Sequence, residues 1–254
     1  MSFATLRSRM LAGETLVGTF LKVPAIELVE ILATTGLDFI CIDAEHAPVD
    51  RARMDGCLAI ARALDFPVLV RVPAATPENL LMALDSGAVG VVCPHIDSPE
   101  KAADIARAAR FGNGGRGFAG STRWAGFNSR GMADILAQSR EETIVLAQIE
   151  EPAGVEAADA IAATPGIDGL FIGPADLSVA MGKTDQTSDE LMAAYARVGE
   201  ACKARGKANV TFVGDAARAR LVAEHGVTVF FVASELTWMA QGARAVSADI
   251  KGSG

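Results

Sequence analysis

The chain is poor in the residues that build several common kinds of site. Its 254 residues hold four cysteines, Cys41, Cys57, Cys93 and Cys202, and none of them forms a CxxC pair. That argues against a structural zinc centre or a disulfide framework, and the expectation is reduced, buried thiols in a cytoplasmic protein. Basic runs are missing, and the net charge is −8 with a pI near 5.0, so neither nucleic acid nor an anionic membrane surface is expected as a partner. No stretch of about 18 apolar residues is present, which predicts no membrane span. The first residues, MSFATLRSRMLAGETLVGTF, lack the apolar segment of a secretory signal. No GxGxxG follows the first strand-like run, which removes the usual dinucleotide fingerprint and, with it, one argument for an open doubly wound sheet.

What is present is a rhythm. Eight short β-branched runs, Leu16–Phe20, Phe39–Ile42, Val68–Arg71, Val89–Cys93, Ile144–Ile149, Gly169–Ile172, Ala208–Phe212 and Val227–Val232, alternate with Ala/Leu-rich segments. Helices are expected over roughly 24–35, 50–64, 76–86, 98–110, 152–164, 188–205, 214–225 and 234–250. Thr76-Pro77-Glu78 and Ser98-Pro99-Glu100 are helix-start signals. Continuous apolar strands suit a parallel sheet covered on both faces. Eight consecutive β-α units predict an α/β fold, a (β/α)8 TIM barrel, with residues 1–254 forming a single barrel domain. One interval, 111–142, breaks the pattern with FGNGGRGFAGSTRWAGFNSRG and is expected to be a functional loop or an oligomer contact.

In such a barrel the chemistry sits at the C-terminal ends of the strands. Strand two runs into Asp43, Glu45 and His46. Strand three ends in Arg71, strand five in Gln148 and Glu150, and strand six leads to Asp176. Four strands therefore aim charged groups at one rim. Glu150 and Asp176 on neighbouring strands suit Mg²⁺, Mn²⁺ or Co²⁺ in a mostly oxygen site; the other reading is two hydrogen-bonded carboxylates that share a proton. In the turn GPAD, the backbone N–H groups of Gly173 and Ala175 are candidates for holding an anion, against an ordinary βα turn. His95 also follows a strand, and reads more simply as an exposed or satisfied histidine. Schiff-base chemistry needs a lysine on the inner rim, and of six lysines only Lys22 is placed even marginally for it.

DAEHAP, the RVP after strand three, LDSGAVGVVCP, QIEEPAGVE and DGLFIGPADLS together resemble the HpcH/HpaI family of metal-dependent pyruvate aldolases, almost end to end. The resemblance implies a barrel of the phosphoenolpyruvate/pyruvate-binding superfamily, usually a homohexamer with swapped C-terminal helices and active sites shared between subunits. It implies a divalent metal, no organic cofactor, and pyruvate and an aldehyde as substrates. Residue by residue, it makes Glu150 and Asp176 metal ligands, Arg71 the keto-oxygen binder, His46 the catalytic histidine and Asp85 its aspartate partner. Gln148, Gly173, Pro174 and Ala175 match the pyruvate-holding elements, and Asp43 and Glu45 the acids around metal-coordinated water. Two positions depart from 4-hydroxy-2-oxoheptanedioate and 2-keto-3-deoxyglucarate aldolases: Phe212 stands where an aliphatic residue is usual, and His95 where Met or Phe is. Phe212, His95 and the loop at 116–130 are therefore expected to shape the aldehyde pocket. Two rival readings are a lyase of CoA thioesters of the malyl- or citramalyl-CoA type, and a non-catalytic barrel that binds small acids.

Asp85 raises a geometric conflict of its own. It closes the third predicted helix, at the opposite rim from His46, because barrel helices run antiparallel to the strands. A helix of about 10 residues spans about 15 Å, so a contact between the two requires Asp85 from a neighbouring subunit.

Overall fold

The structure, a computed structural model, describes residues 3–252. Eight parallel strands close on themselves in sequence order: β1 (Leu16–Leu21), β2 (Phe39–Asp43), β3 (Val68–Arg71), β4 (Gly90–Cys93), β5 (Ile144–Ile149), β6 (Gly169–Ile172), β7 (Ala208–Val213) and β8 (Val229–Ser234). Closure is made by β1 pairing with β8, Leu16 opposite Val229. The strand runs are buried almost throughout, as strands covered on both faces must be.

Twelve helices accompany them among the described residues: α1 (Phe3–Leu11), α2 (Ile26–Ala33), α3 (Arg51–Ala63), α4 (Pro77–Ser86), α5 (Pro99–Ala109), α6 (Met132–Glu142), α7 (Pro152–Glu156), α8 (Ala158–Ala163), α9 (Pro174–Ala180), α10 (Asp189–Arg205), α11 (Ala216–Ala223) and α12 (Glu235–Lys251). The predicted starts hold where side chains cap them: Thr76 Oγ1 accepts from the N–H of Asn79 and Ser98 Oγ from that of Lys101, each with proline in the first turn.

Four features differ from the sequence expectation, one being that the helix expected over 152–164 is two, α7 and α8, parted at Ala157. Helix α1 has no counterpart among the expected segments, although Phe3, Leu6 and Met10 are the buried face of one. Helix α9 is a single short run inside what reads as a turn. The 111–142 interval is not all loop, because its second part is α6, which packs on α1.

The barrel interior is a packed core rather than a pore. Phe231 sits at its centre, with ring centroids 4.8 Å from Phe171, 4.9 Å from Phe39 and 5.2 Å from Phe20. Glycine at position 18 is required there, since a Cβ would stand 2.3 Å from the Phe39 ring. This aromatic floor closes the barrel and leaves the strand ends above it as the place for a polar site.

Loop 111–131 connects α5 to α6 and so lies at the strand N-terminal end. It is anchored there: Arg116, itself buried, pairs with Asp85 at the end of α4, and Arg123 pairs with Asp55 of α3 at 2.8 Å. Trp124 is buried in a small separate cluster with Ala125 and Ile135. Within one chain the loop therefore does not line the rim of its own barrel, so a part for 116–130 in the aldehyde pocket requires the loop of a neighbouring subunit.

Candidate functional site

The site begins with Asp43, the last residue of β2, which is fully buried. Strand register places it directly beside Arg71, the last residue of β3. The two meet in a fork: Arg71 Nε donates to Asp43 Oδ1 at 3.0 Å and Nη2 to Oδ2 at 2.7 Å. Lys22 Nζ adds a bond to Oδ2 at 2.8 Å, and the His46 N–H donates to Oδ1 at 3.1 Å. Burial pushes the Asp43 carboxyl upward, but the hydrogen bonds and charge of Arg71, with Lys22 and the His46 N–H, outweigh it and hold the group at about 2. Arg71 also lies over the Phe20 ring, 4.4 Å from its centroid. Asp43 thus orients Arg71, and the aromatic floor supports it from below.

Glu45 follows in the β2–α3 connection. Its Oε2 lies 3.3 Å from Arg71 Nε and 3.7 Å from His46 Nε2, yet this buried oxygen accepts no hydrogen bond. Burial raises the Glu45 carboxyl above its ordinary range, and the nearby Glu150 adds to that against the opposing charge of Arg71. His46 itself is half-exposed.

Gln148 and Glu150 come from the end of β5, where both are buried. Gln148 Nε2 donates to Glu150 Oε2, and Gln148 Oε1 is buried without a partner. Glu150 Oε1 accepts from the backbone N–H of His95 at 2.8 Å. His95 follows β4, and its ring Nδ1 lies 3.1 Å from Glu150 Oε1. One oxygen or nitrogen from each of Glu45, His95 and Glu150 falls within 4.8 Å of the other two. A carboxylate–imidazole–carboxylate set beside two buried, donor-less oxygens is the chemistry of a divalent cation site, and these residues suit one.

The β6 end packs against this group. A Cβ on Gly173 would stand 3.2 Å from Glu150 Oε2, a tight contact that would displace the carboxylate by a few tenths of an ångström. Its N–H is not available to an anion, because it donates to Ile149 O at 3.0 Å; this corrects one part of the GPAD reading. Pro174 is buried, whereas Ala175 and Asp176 are exposed in the first turn of α9. Asp176 is not part of the Glu45/His95/Glu150 cluster. Phe212 is partly buried at the end of β7, with its ring 6.1 Å from that of Phe20. Asp85 stands apart: its carboxylate takes Arg116, and it has no contact with His46 among the described residues.

The sequence profile of the HpcH/HpaI aldolase/citrate lyase family matches residues 16–241. The chain belongs to that family. A hydroxypyruvate/pyruvate aldolase of Paraburkholderia phytofirmans is 32% identical over 254 residues, covering 97% of each chain. A 5-keto-4-deoxy-D-glucarate aldolase of Klebsiella pneumoniae is 34% identical over 209 residues, 82% of this chain and 81% of that one. Among solved structures, an HpcH/HpaI aldolase/citrate lyase family protein of Burkholderia cenocepacia superposes with a TM-score of 0.91 at 36% identity, covering 98% of this chain and 99% of that one. Membership makes the protein an aldolase, a carbon–carbon lyase on a TIM barrel. No helix among the described residues is long and apolar enough to cross a membrane.

Sequence reasoning missed His95 as a member of the cluster. Its position after a β-strand was visible, but its ring joins Glu150 only because the residue adopts a left-handed backbone, φ 57°, that nothing local in VVCPHIDSP announces.

Proposed function

We propose that this family member reversibly cleaves 4-hydroxy-2-oxo acids to pyruvate, or a close analogue, and an aldehyde. The observation that carries the reading is the convergence on one rim of an oriented, buried arginine with a carboxylate–imidazole cluster. Glu150 and Glu45 would hold the metal, with Asp176 as the further carboxylate that the sequence resemblance names; Mg²⁺, Mn²⁺ and Co²⁺ are the ions proposed. When bound, such a cation supplies Lewis-acid charge to a substrate keto oxygen.

The chain's own residues do the rest. Asp43 occupies Nε and Nη2 of Arg71, so the guanidinium plane is set before substrate arrives. Its fixed charge then faces the keto oxygen and stabilises the negative charge that develops there as C3–C4 breaks. Gln148 and the Gly173–Pro174–Ala175 turn hold the pyruvate carboxylate, through the Gln148 side chain and the first-turn N–H of Ala175. His46, half-exposed beside Glu45, takes the proton from the C4 hydroxyl, directly or through one water. In the condensation direction it removes a methyl proton from pyruvate. Phe212, continuous with Phe20 and Arg71, bounds the aldehyde side.

The active unit in this reading is residues 1–254 as one barrel domain, assembled as a homo-oligomer, expected to be a hexamer, in which Asp85 of the partner subunit pairs with His46. Exposed Leu236, Met239, Val246 and Ile250 on α12 support an interface on that helix. The four buried free cysteines support a cytoplasmic setting.

The test is a retro-aldol screen of 4-hydroxy-2-oxo acids coupled to lactate dehydrogenase, alongside NMR of pyruvate methyl exchange in D₂O. Metal-dependent pyruvate release and exchange are expected. Release of free CoA from malyl- or citramalyl-CoA, with no pyruvate exchange, overturns the proposal.

A further inference from the structure

His95 has an unusual electrostatic setting for an exposed side chain. Its Nδ1 lies 3.1 Å from Glu150 Oε1 and 3.2 Å from Glu151 Oε1, and its Nε2 lies 3.9 Å from Glu45 Oε1. One ring nitrogen carries at most one proton, so Nδ1 cannot donate fully to both carboxylates it touches. A neutral ring also turns one lone pair toward a carboxylate oxygen, which is repulsive. Three carboxylates thus surround one imidazole, with Arg71 Nε 3.3 Å from Glu45.

The backbone is committed to this placement. His95 has φ 57°, a region that few non-glycine residues adopt. Its N–H donates to Glu150, its carbonyl accepts from Lys101 Nζ at 3.2 Å, and the next N–H, of Ile96, donates to Gln148 O at 3.1 Å. The turn thereby brings the ring back over the β5 end. Two ligands of one ion at about 2.1 Å stand about 3 Å apart at right angles and about 4.2 Å apart when opposite. The Nδ1–Glu150 spacing of 3.1 Å falls in that range, and one ligand atom from each of Glu45, His95 and Glu150 lies within 4.8 Å of the other two.

We infer that His95 is a further protein ligand of the metal, an imidazole nitrogen joined to Glu150 and Glu45, and that it shifts the site's preference from Mg²⁺ toward Co²⁺ and the later divalent ions. The inference rests on the metal-dependent reading above. Its chemistry is direct: oxygen ligands suit Mg²⁺, whereas an imidazole favours the ions further along the Irving–Williams order.

The experiment uses the full chain, stripped of metal and reloaded, with His95→Asn as the variant because asparagine tolerates the left-handed backbone. Electron spin-echo envelope modulation of the Mn²⁺-loaded protein is expected to show directly coordinated ¹⁴N, lost in His95→Asn. By calorimetry, Co²⁺ affinity is expected to fall at least about tenfold in the variant, and Mg²⁺ affinity less than about threefold. Mn²⁺ binding without ¹⁴N coupling, or equal losses for Co²⁺ and Mg²⁺, overturns the role of His95 and leaves the aldolase reading standing. Failure of the unmodified chain to bind any of the three ions overturns the metal-dependent reading and this inference with it.

Discussion

Replacing Asp43 with asparagine tests how the rim is held together. Asp43 is fully buried and accepts from Arg71 twice, from Lys22 and from the His46 N–H. The substituted amide would keep the shape but turn an N–H₂ group toward a cation, and the buried Arg71 would lose its counter-charge. The depression of the Asp43 carboxyl from 3.8 to about 2 corresponds to about 2 kcal/mol of folding free energy. Stranding a buried partner raises the cost to about 3–5 kcal/mol. With a urea m-value of about 3 kcal/mol/M, the unfolding midpoint falls by about 1 M at neutral pH. The comparison is made at one protein concentration, since assembly shifts apparent stability. The pH dependence follows from the sign of the shift. The folded pKa lies below the unfolded one, so the unfolded chain binds more protons between them. Asp43 stabilises fully above about pH 4, and its contribution is lost as pH falls through about 2. The gap between wild type and Asp43→Asn therefore narrows on acidification. A loss below about 1 kcal/mol at pH 7, or a gap independent of pH down to 2, would refute this account of how Arg71 is positioned.

Four further outcomes are expected. Arg71→Lys loses more than about tenfold in kcat/KM, because an ammonium cannot reproduce the planar fork; near wild-type kinetics count against the role. Phe212→Val changes which aldehydes are accepted while pyruvate methyl exchange is nearly unaffected, and an unchanged aldehyde profile sinks the assignment. Chelation abolishes turnover and a divalent ion restores it, whereas borohydride with pyruvate leaves the chain unmodified by mass spectrometry, since Lys22 is engaged with Asp43 at 2.8 Å; a pyruvyl adduct on Lys22 reverses that conclusion. Co-expressed His46→Ala and Asp85→Asn chains, each nearly inactive alone, recover part of the activity in mixed oligomers; no recovery in verified mixtures removes Asp85 from the site.

Much of the fold was legible along the chain, because burying a parallel strand on both faces demands a continuous apolar run, and eight such runs alternating with helical segments admit few arrangements. The same logic located the rim: Asp43, Arg71, Gln148 and Glu150 each end an apolar run, so chain position alone placed them at one end of a barrel. Helix α1 went unread, because its only signal is the short spacing of Phe3, Leu6 and Met10. Tertiary structure decided the rest. That Asp43 grips Arg71 depends on strand register, which is set by pairing between segments about thirty residues apart. That loop 116–130 lies away from the rim of its own barrel depends on ion pairs of Arg116 and Arg123 with residues of α4 and α3. The composition of the cluster was decided last. Sequence paired Glu150 with Asp176, and the structure adds a meeting of Glu150 with Glu45 and His95, because one left-handed residue after β4 folds an imidazole over the end of β5. Periodicity records which residues are buried, and carries no record of a single backbone turn made to satisfy a carboxylate on another strand.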